Sequence, residues 1–404
     1  MRELEELCRT DGADVVGSDV QRREEVEPAL FIGRGKVEEL KSLRQELRFE
    51  TVVCNEDLSP RQQRNLEREL EVKVVDRAEV ILDIFAQHAR TREGRLQVEA
   101  AQLHHWLPRL IGAYDYHRQV GGIGTRGGPG EQQIEIERRR VRKRIRDLDR
   151  EIEQVRAQRD QQRSSRRRSE HATVAITGYT NAGKSTLLNA LTGAGVRSEN
   201  QVFATLDPTT RRARLPSGLE VLLTDTVGFI QKLPTDLVAA FRATLEEVTY
   251  ADAILEVVDA SSPTLLRHRE TVEEILGQLD AAQKPRVIAL NKSDLVGPAT
   301  RRRLVTELSE TYGAKVIPIS ALGGAGLGDL LKAIEGVVRS DMRALELLVP
   351  YGQEEVIARL REAGGVDRLE YQTDGVHAWG HVPERLLPRF EAYLAVSSGT
   401  SSRP

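Results

Sequence analysis

Cysteine and long apolar runs are what this sequence has least of. Its 404 residues include two cysteines, Cys8 and Cys54. These are too few for a disulfide framework or a cysteine-rich metal site, and we interpret both as ordinary thiols in a reducing compartment. No apolar run approaches the roughly 20 residues that a transmembrane helix needs, and the start, MRELEELCRT, lacks a signal-peptide core. These absences predict a cytoplasmic protein without an integral membrane segment, and they leave peripheral membrane association open.

The chain also lacks a strong excess of charge of either sign. It has 59 Lys and Arg against 62 Asp and Glu, a formal net charge of −3. This balance gives no reason to expect DNA or another polyanion to bind the chain as a whole. A hydrophobic content of 39% with 30% charged residues is typical of a soluble folded protein. The length predicts two to four domains, and we expect a monomer.

Hydrophobic periodicity changes along the chain and predicts its organisation. Strand-like runs such as ADVVGSDV (13–20) alternate at first with helical ones, one of which opens with Ser59 as its N-cap. Such alternation indicates a small parallel sheet. The predicted segments are an N-terminal α/β subdomain (1–77), an antiparallel helical hairpin with a glycine-rich tip (78–163), a basic linker (164–171), an α/β nucleotide-binding domain (172–340), a small C-terminal α+β domain (345–395) and a disordered tail (396–404).

Two amphipathic helical stretches make up the predicted hairpin. The first runs as one long helix from Ala78 to about Leu110, with Gly94 and Pro108 as expected bends. In the second, apolar residues at 141, 145, 148, 152 and 155 form a heptad seam. Residues 134–170 contain 14 Lys and Arg against 8 Asp and Glu, a net charge of +6. A solvated helix face with salt bridges accounts for this charge, and so does contact with RNA.

The stretch TVAITGYTNAGKSTLLNAL carries the clearest chemical signal. A strand is followed by G-x-x-x-x-G-K-S at Gly178–Ser185 and then by an amphipathic helix, which is the context that a P-loop requires. Backbone N–H groups and the helix N-terminus would surround the β-phosphate of a nucleotide. Lys184 would add a positive charge at the β- and γ-phosphates, and Ser185 would give an oxygen ligand to Mg²⁺.

Further motifs follow in the order expected of a GTPase. VFATLDPTT places Thr205 in a loop that could fold over the magnesium. In DTVG, Asp225 would hold Mg²⁺ through water and the Gly228 N–H would meet the γ-phosphate. NKSD ends in Asp294, whose carboxylate can accept both donors on the edge of guanine, whereas adenine would present an acceptor there. We therefore predict a doubly wound, mostly parallel P-loop GTPase domain that binds GTP and GDP.

The chain resembles the HflX family of ribosome-associated GTPases over nearly its whole length. The matching stretches are GRGKVEEL, LSPRQQRNLE, DRAEVILDIFAQHARTREGRLQVEAAQL, GGIGTRGGPGE, GYTNAGKSTL, FATLD and DTVGFIQKLP. The resemblance implies a cytosolic GTPase that binds the large ribosomal subunit and its rRNA and splits stalled or idle ribosomes, notably in heat stress. It also implies an N-terminal α/β part joined to a helical hairpin. The match is weakest in residues 1–30 and 345–404.

The resemblance further implies which residues form the site. Ser185, Thr205 and, through water, Asp225 would hold magnesium, and Lys184, Thr205 and Gly228 would act on the phosphates. The residues implied to line the nucleotide are Gly178, Tyr179, Thr180, Asn181, Ala182, Gly183, Lys184, Ser185, Thr186, Phe203, Ala204, Thr205, Leu206, Asp207, Asp225, Thr226, Val227, Gly228, Asn291, Lys292, Ser293, Asp294, Ser320, Ala321 and Leu322.

One position departs from the usual chemistry of GTPases. Phe229 stands where many of these enzymes place a glutamine that orients the attacking water. We expect slow hydrolysis that rises when a partner supplies the missing group, and our hypothesis makes Phe229 a gate that shields the site until docking. In related GTPases an asparagine at the position of Asn181 helps to hold K⁺, so we weigh a K⁺ ligand against a loop-stabilising amide.

Two glycine-containing segments and the hairpin leave alternatives open. HRQVGGIGTRGGPGE is either a flexible hairpin tip or a tip that enters an RNA cavity, with Arg118 and Arg126 reaching phosphates. GRGK at Gly33–Lys36 lacks P-loop spacing, and we favour a structural turn there over an ATP site. The hairpin could also serve a GTP-dependent signalling switch that acts on protein partners, or a coiled-coil homodimer.

Overall fold

The computed structural model describes residues 2–22, 24–112, 129–167, 171–193, 203, 205–206, 208–231, 245–340 and 342–395. They divide into two compact units. The first contains the chain up to Arg159 together with residues 203, 205 and 206, and the second contains most of the chain from Asp160 onward. Within the described ranges, no helix is long and apolar enough to span a membrane.

The first unit combines a two-stranded parallel sheet with six helices among its described residues. Val52 pairs with Val74 in the sheet, and Val37, Leu66 and Leu70 are buried against it. Ser59 caps the third helix as predicted, because its side chain accepts a hydrogen bond from the Gln62 N–H. The elements are α1 (Arg2–Thr10), α2 (Arg34–Leu47), β1 (Thr51–Cys54), α3 (Pro60–Leu70), β2 (Lys73–Asp76), α4 (Arg77–His88), α5 (Arg92–Gly112) and α6 (Pro129–Arg167).

The stretch ADVVGSDV is not a strand, contrary to the prediction. Its backbone is irregular, and Val16 and Val20 are 53% and 61% exposed. Side chains attach the segment to the start of α2 instead: the Lys36 ammonium lies 2.7 Å from Asp19, and the Gly33 N–H donates to Gln21. Lys36 also pairs with Glu39, which agrees with the structural interpretation of GRGK. The β-branched valines indicated a strand, but no neighbouring strand in the described part of the chain pairs with them.

The first long helix of the hairpin is broken earlier than predicted. α4 ends at His88 and α5 begins at Arg92, whereas Gly94 and Pro108 both lie inside α5. The break has a local cause, since the Thr91 hydroxyl accepts a hydrogen bond from the Gly94 N–H at 3.0 Å and so caps the new helix. Thr91 is a residue type that commonly caps helices, and it was the local signal for a new helix. The continuous apolar periodicity predicted one long helix instead.

The hairpin of α5 and α6 packs along the predicted seam. Leu148 and Ile145 of α6 are buried, and Leu148 packs against Leu96 of α5. Arg144 donates two hydrogen bonds to Glu99, at 2.6 and 2.8 Å. Most of the glycine-rich tip, residues 113–128, lies outside the described residues. α6 continues to Arg167, so the first residues of the predicted basic linker are helical.

The second unit contains the predicted doubly wound domain. Its six-stranded sheet has the order β4-β5-β3-β6-β7-β8, and all neighbours are parallel except β4 and β5. Helices α7 and α10 cover one face, while α8, α9 and a helix at residues 245–250 cover the other. The elements are β3 (Ala172–Gly178), α7 (Lys184–Thr192), β4 (Thr209–Arg214), β5 (Glu220–Asp225), β6 (Ala253–Asp259), α8 (Leu265–Gln278), β7 (Arg286–Asn291), α9 (Pro298–Tyr312), β8 (Lys315–Pro318) and α10 (Leu327–Ser340).

A small antiparallel sheet with one helix forms the rest of the second unit. Its strands lie in the order β10-β11-β9, and Leu347, Leu360 and Ala378 are buried between sheet and helix. The elements are β9 (Met342–Val349), α11 (Glu355–Ala363), β10 (Val366–Gln372) and β11 (Gly375–Pro383). After β11 the chain forms two 3₁₀ turns, at Glu384–Arg389 and Glu391–Tyr393. Pro388 lies inside the first turn and cannot donate a helical hydrogen bond.

A buried charge cluster lies on the α8 side of the central sheet. Glu256 of β6 is fully buried, and its carboxylate lies 2.9 Å from the Arg269 guanidinium of α8. Arg269 also pairs with Glu273, and its guanidinium stacks over the Tyr312 ring at 3.6 Å. Burial raises the pKa of Glu256 to about 7, with Arg269 opposing the shift. A guanidinium stays protonated in proteins, so Arg269 is a permanent buried charge. The Glu256 carboxylate and the Arg269 guanidinium therefore stabilise each other.

We expect Arg269→Met to destabilise the protein strongly, because it leaves the buried Glu256 carboxylate with only the more distant Arg286 guanidinium, at 3.9 Å. Breaking a buried pair from one side costs about 3–5 kcal/mol. Urea unfolding followed by circular dichroism measures the loss. Arg267→Met, an exposed arginine on the same helix, is the matched control and should change stability by less than about 0.5 kcal/mol. Equal effects of the two substitutions would show that the buried pair has no special role in stability.

Candidate nucleotide-binding site

The P-loop connects the end of β3 to the beginning of α7. Gly178 and Gly183 adopt φ values of +142° and +96°, which L side chains rarely reach. A Cβ atom on Gly178 would lie 2.3 Å from the Val257 carbonyl oxygen, and one on Gly183 would lie 2.4 Å from the Asn291 amide nitrogen. Only glycine therefore allows the loop to pass so close to the ends of β6 and β7.

Lys184 points back into this loop. It is buried, and its ammonium donates to the carbonyl oxygens of Gly178 and Tyr179 at 3.2 and 2.9 Å. Loss of hydration lowers the pKa of Lys184 to about 8, and Asp225 acts in the opposite direction. A Cβ atom on Gly228 would lie 2.9 Å from the Lys184 Nζ. The DTVG motif and the P-loop lysine are therefore close together, as joint binding of a γ-phosphate would require.

Ser185 and Asp225 form the candidate magnesium site. The Ser185 hydroxyl donates to the Asp225 carboxylate at 2.7 Å, and Asp225 is fully buried at the end of β5. Both are oxygen ligands of the kind that Mg²⁺ prefers, so the donor set fits this cation. Among the described residues no group of three or more His, Cys, Asp or Glu could hold a metal. A magnesium ion here would therefore take most of its other ligands from phosphates and water, as Mg²⁺ commonly does.

The loop that contains Thr205 is grouped with the N-terminal part of the chain. Phe203, Thr205 and Leu206 belong to the first unit, and Phe203 packs its ring against Phe85 with centroids 4.5 Å apart. Ala204 and Asp207 lie outside the described residues. The structure thus gives no geometry between Thr205 and the P-loop, and the role of Thr205 as a magnesium ligand remains a prediction.

Phe229 is held to the P-loop by its backbone and to the core by its ring. Its backbone pairs with the P-loop, since its carbonyl accepts from the Thr180 N–H at 2.8 Å and its N–H donates to the Gly178 carbonyl at 3.1 Å. Its ring is only 2% exposed and packs in the core with Ala175 and Val248. The ring is therefore a core residue in this structure, and a gate that opens on docking stays a prediction. Replacing the ring by alanine would cost about 3–5 kcal/mol of stability, so it would not report selectively on catalysis.

Tyr179 extends the contact between the P-loop and the DTVG segment. Its hydroxyl accepts a hydrogen bond from the Gln231 N–H at 3.0 Å. Its ring stacks on His268 of α8, with centroids 3.8 Å apart and planes only 2° from parallel. Sequence reasoning missed this role of His268, because nothing in the spacing of the motifs indicates a contact between the P-loop and α8.

Asn291 links three parts of the site. Its amide nitrogen donates to the Ala182 carbonyl at 2.8 Å, and its amide oxygen accepts from the Ala321 N–H at 2.9 Å. The ends of β7 and β8 are thereby joined to the P-loop. Asn291, Ser320 and Ala321 are buried, which gives these hydrogen bonds a structural role in addition to any contact with the base.

Lys292 makes a second link to the P-loop. Its ammonium donates to the Asn181 carbonyl at 2.9 Å and pairs with Asp259 at 2.7 Å. Sequence reasoning did not select Asp259, although it directly ends β6 and so occupies the edge of the sheet that binds ligands. Asp294, two residues after Lys292, is exposed to solvent, and Leu322 is 91% exposed. The polar edge for the base is therefore open.

The other predicted residues of the second unit also have defined positions. Thr180, Ala182, Thr226, Val227 and Ser293 are buried, and Thr186 is half-buried in the first turn of α7. The Thr226 hydroxyl donates to the Ile176 carbonyl at 2.8 Å, and the Ser293 N–H donates to the Ile319 carbonyl at 3.0 Å. Several predicted nucleotide residues thus hold strand ends together and are not themselves open to a ligand.

Three family models match consecutive parts of the chain. They are described as "GTP-binding GTPase N-terminal" at residues 1–86, "GTP-binding GTPase Middle Region" at residues 88–166 and "50S ribosome-binding GTPase" at residues 173–292. The third match begins one residue after the first residue of β3 and ends at Lys292, so it contains the P-loop and most of the residues that surround it.

Curated relatives match the chain over most of its length. The GTPase HflX of Caldanaerobacter subterraneus subsp. tengcongensis is 44% identical, over 98% of this chain and 90% of that protein. The GTPase HflX of Escherichia coli is 39% identical, over 93% of this chain and 87% of that protein. The GTPase HflX of Alkalihalophilus pseudofirmus is 50% identical, over 72% of this chain and 69% of that protein. Together with the P-loop described above, these matches show that the chain belongs to the HflX family of GTPases.

Proposed function

We propose that this GTPase binds the large ribosomal subunit and its rRNA, splits stalled or idle ribosomes, and hydrolyses GTP to GDP and phosphate faster when bound to the ribosome. The observation that carries the proposal is the match of residues 173–292 to a model of 50S ribosome-binding GTPases, which coincides with the P-loop geometry described above. The basic helix α6 supports it, since rRNA is the polyanion that such a helix would meet.

The residues of the site suggest how GTP would be held. Lys184 and the P-loop N–H groups would bind the β- and γ-phosphates, and Gly228 would present its N–H to the γ-phosphate. Ser185, Asp225 through water, and Thr205 would hold Mg²⁺, which when bound offsets the charge that develops on the phosphates. Lys184 is already within reach of Gly228, so little rearrangement of these two residues is needed when the nucleotide binds.

No described residue of the DTVG segment takes the place of the missing glutamine. Phe229 lies in the core, and its backbone is bonded to the P-loop. We infer that the attacking water is ordered by the ribosome, by K⁺ near Asn181, or by both. Asn181 has a φ of +59°, a conformation that asparagine tolerates better than most residues. This backbone role is a second reason for an asparagine there, alongside cation binding.

The alternative functions of the hairpin have less support. The heptad seam of α6 is buried against α5 of the same chain, so it does not offer a free apolar face for a coiled-coil homodimer. The same burial weakens the case for a signalling switch that binds helical protein partners through this seam. The exposed basic side of α6 is available to a partner of another kind.

Guanine selectivity tests the role of Asp294. Asp294→Asn should weaken GTP binding and relatively favour xanthosine triphosphate, because xanthine presents an acceptor where guanine presents an amine. A loss on the order of 10²-fold or more is expected for a site built on such hydrogen bonds. Competition against a fluorescent GDP analogue measures both affinities. Equal competition by ATP and GTP in the unaltered protein would contradict the assignment of the base site.

Single-turnover hydrolysis separates the two sources of catalysis. We expect a slow rate in Na⁺, a faster one in K⁺, and a further increase of roughly 10³-fold or more with large subunits. Asn181→Gly keeps the left-handed backbone and removes only the amide, so it should abolish the K⁺ effect while GDP still binds. If the K⁺ effect survives in this variant, Asn181 does not ligate the cation.

The glycine-rich tip tests ribosome splitting. Deleting residues 121–130, or changing both Arg118 and Arg126 to glutamine, should reduce splitting measured by light scattering and leave GTP affinity within about twofold, because the P-loop is untouched. Deleting residues 396–404, a tail of similar length that we predict to be disordered, is the control. Unchanged splitting in both tip variants would remove the tip from the mechanism.

A further inference from the structure

Trp106 of α5 is unusually open to solvent. It is one of two tryptophans in the chain and is 56% exposed, whereas Trp379 is half-buried on the small C-terminal sheet. Exposing an aromatic side chain of this size has a cost in water. Nothing in the nucleotide site or in the hairpin seam uses this residue.

The contacts between α5 and α6 place Trp106 along the hairpin. Trp106 follows Glu99 by seven residues, which is about two helical turns and brings it to the same side of α5. Glu99 faces α6, where it accepts two hydrogen bonds from Arg144. The pairing of Arg92 with Glu151 shows that the helices are antiparallel. Moving seven residues forward from Glu99 to Trp106 on α5 therefore corresponds to moving seven residues back from Arg144 on α6, to position 137.

Trp106 therefore lies level with the beginning of the arginine-rich part of α6. Seven of the nine residues from 138 to 146 are Lys or Arg, and none is acidic. Arg140, Arg142, Lys143 and Arg146 are exposed. Within the described part of the chain, no ion pair engages these four, whereas Arg144 pairs with Glu99. The four cations are available to an anionic partner.

The other side of α5 is firmly attached. The Arg109 guanidinium lies 2.5 Å from the buried Asp76 carboxylate and donates to Gln63 at 2.8 Å. His105 lies 3.4 Å from the same carboxylate. These contacts flank Trp106 in the sequence and fix its helix to the α/β part of the first unit. A tryptophan on such a support loses little further freedom when a ligand covers it.

We propose that Trp106 is a stacking platform for an unpaired RNA base, with the exposed cations of α6 on the flanking phosphates. The inference rests on the proposed function and deepens it by naming the contact. An exposed aromatic ring level with cations that make no ion pair is the chemistry that binds single-stranded RNA. An apolar protein surface would explain the exposed ring but not the run of unpaired cations.

Binding to large subunits across a salt series tests the proposal. Trp106→Phe keeps a stacking face and should bind within about threefold of the unaltered protein. Trp106→Leu keeps apolar area but cannot stack. It should weaken binding to large subunits about 5- to 160-fold, the range that base stacking spans. The slope of log affinity against log salt should stay the same in both. Leu47→Ala, an apolar residue of the same unit that is 42% exposed, is the matched control and should bind normally.

The double change Arg140→Gln and Arg142→Gln should reduce that slope by about 1.4, because two phosphate contacts on a single strand are lost. If Trp106→Leu binds like the unaltered protein while this double variant binds poorly, stacking is overturned and the proposed ribosome binding stands. If Leu and Phe at this position bind equally well at reduced affinity, an apolar contact replaces the stacking proposal.

Failure of the unaltered protein to bind large subunits would contradict the proposed function. Tryptophan fluorescence then tests independently whether Trp106 stacks on an RNA base. In a Trp379→Phe background, Trp106 is the sole tryptophan and its fluorescence reports a stacked base. Titration with a single-stranded oligouridine of about 12 nucleotides should quench it, and the double arginine variant should need more oligonucleotide. An unquenched signal at saturation would overturn the stacking proposal.

Discussion

The fold of the second unit depends on how closely the P-loop is held against the ends of the strands around it. Asn291 bonds the Ala182 carbonyl, Lys292 bonds the Asn181 carbonyl, and the backbone of Phe229 bonds Gly178 and Thr180. These bonds come from the ends of β7 and from the segment after β5. They fix the P-loop N–H groups in place, so less conformational entropy is lost when a nucleotide binds. Lys184 is already buried in the structure without a nucleotide.

The same bonds explain why the chemistry of hydrolysis is incomplete within this part of the chain. A residue that orients water must reach the γ-phosphate, but the peptide at Phe229 is tied to the P-loop and its ring is in the core. The buried Phe229 ring packs against β3, the strand that leads into the P-loop, so burial of the ring also stabilises the loop. This arrangement favours an enzyme whose hydrolysis is slow until a partner supplies the group that orients the water. Such control suits a GTPase that acts only at its target.

The hairpin uses its charges in two ways. Some of the arginines on α6 bind acidic residues of the hairpin itself, as Arg144 does with Glu99, and these pairs align the two helices. Others face solvent and make no ion pair, and they give the helix its positive surface. Net charge therefore underestimates what α6 offers to a polyanion. The distinction between paired and unpaired cations comes from the position of each residue around the helix and from the partner across the seam.

Local sequence determined the elements whose signals are local. The P-loop, the Ser59 cap, the strands that end in Asp225 and Asn291 and the heptad seam of α6 all follow from spacing and residue type, because hydrogen bonding and periodicity act within a few residues. Tertiary structure decided the rest. The valines of residues 13–20 match a strand in pattern but have no pairing strand in the described chain, and strands need partners that a local pattern does not supply. Asp259, His268 and the core position of Phe229 depend on residues far apart in the chain coming together, which only the packed sheet and its helices specify.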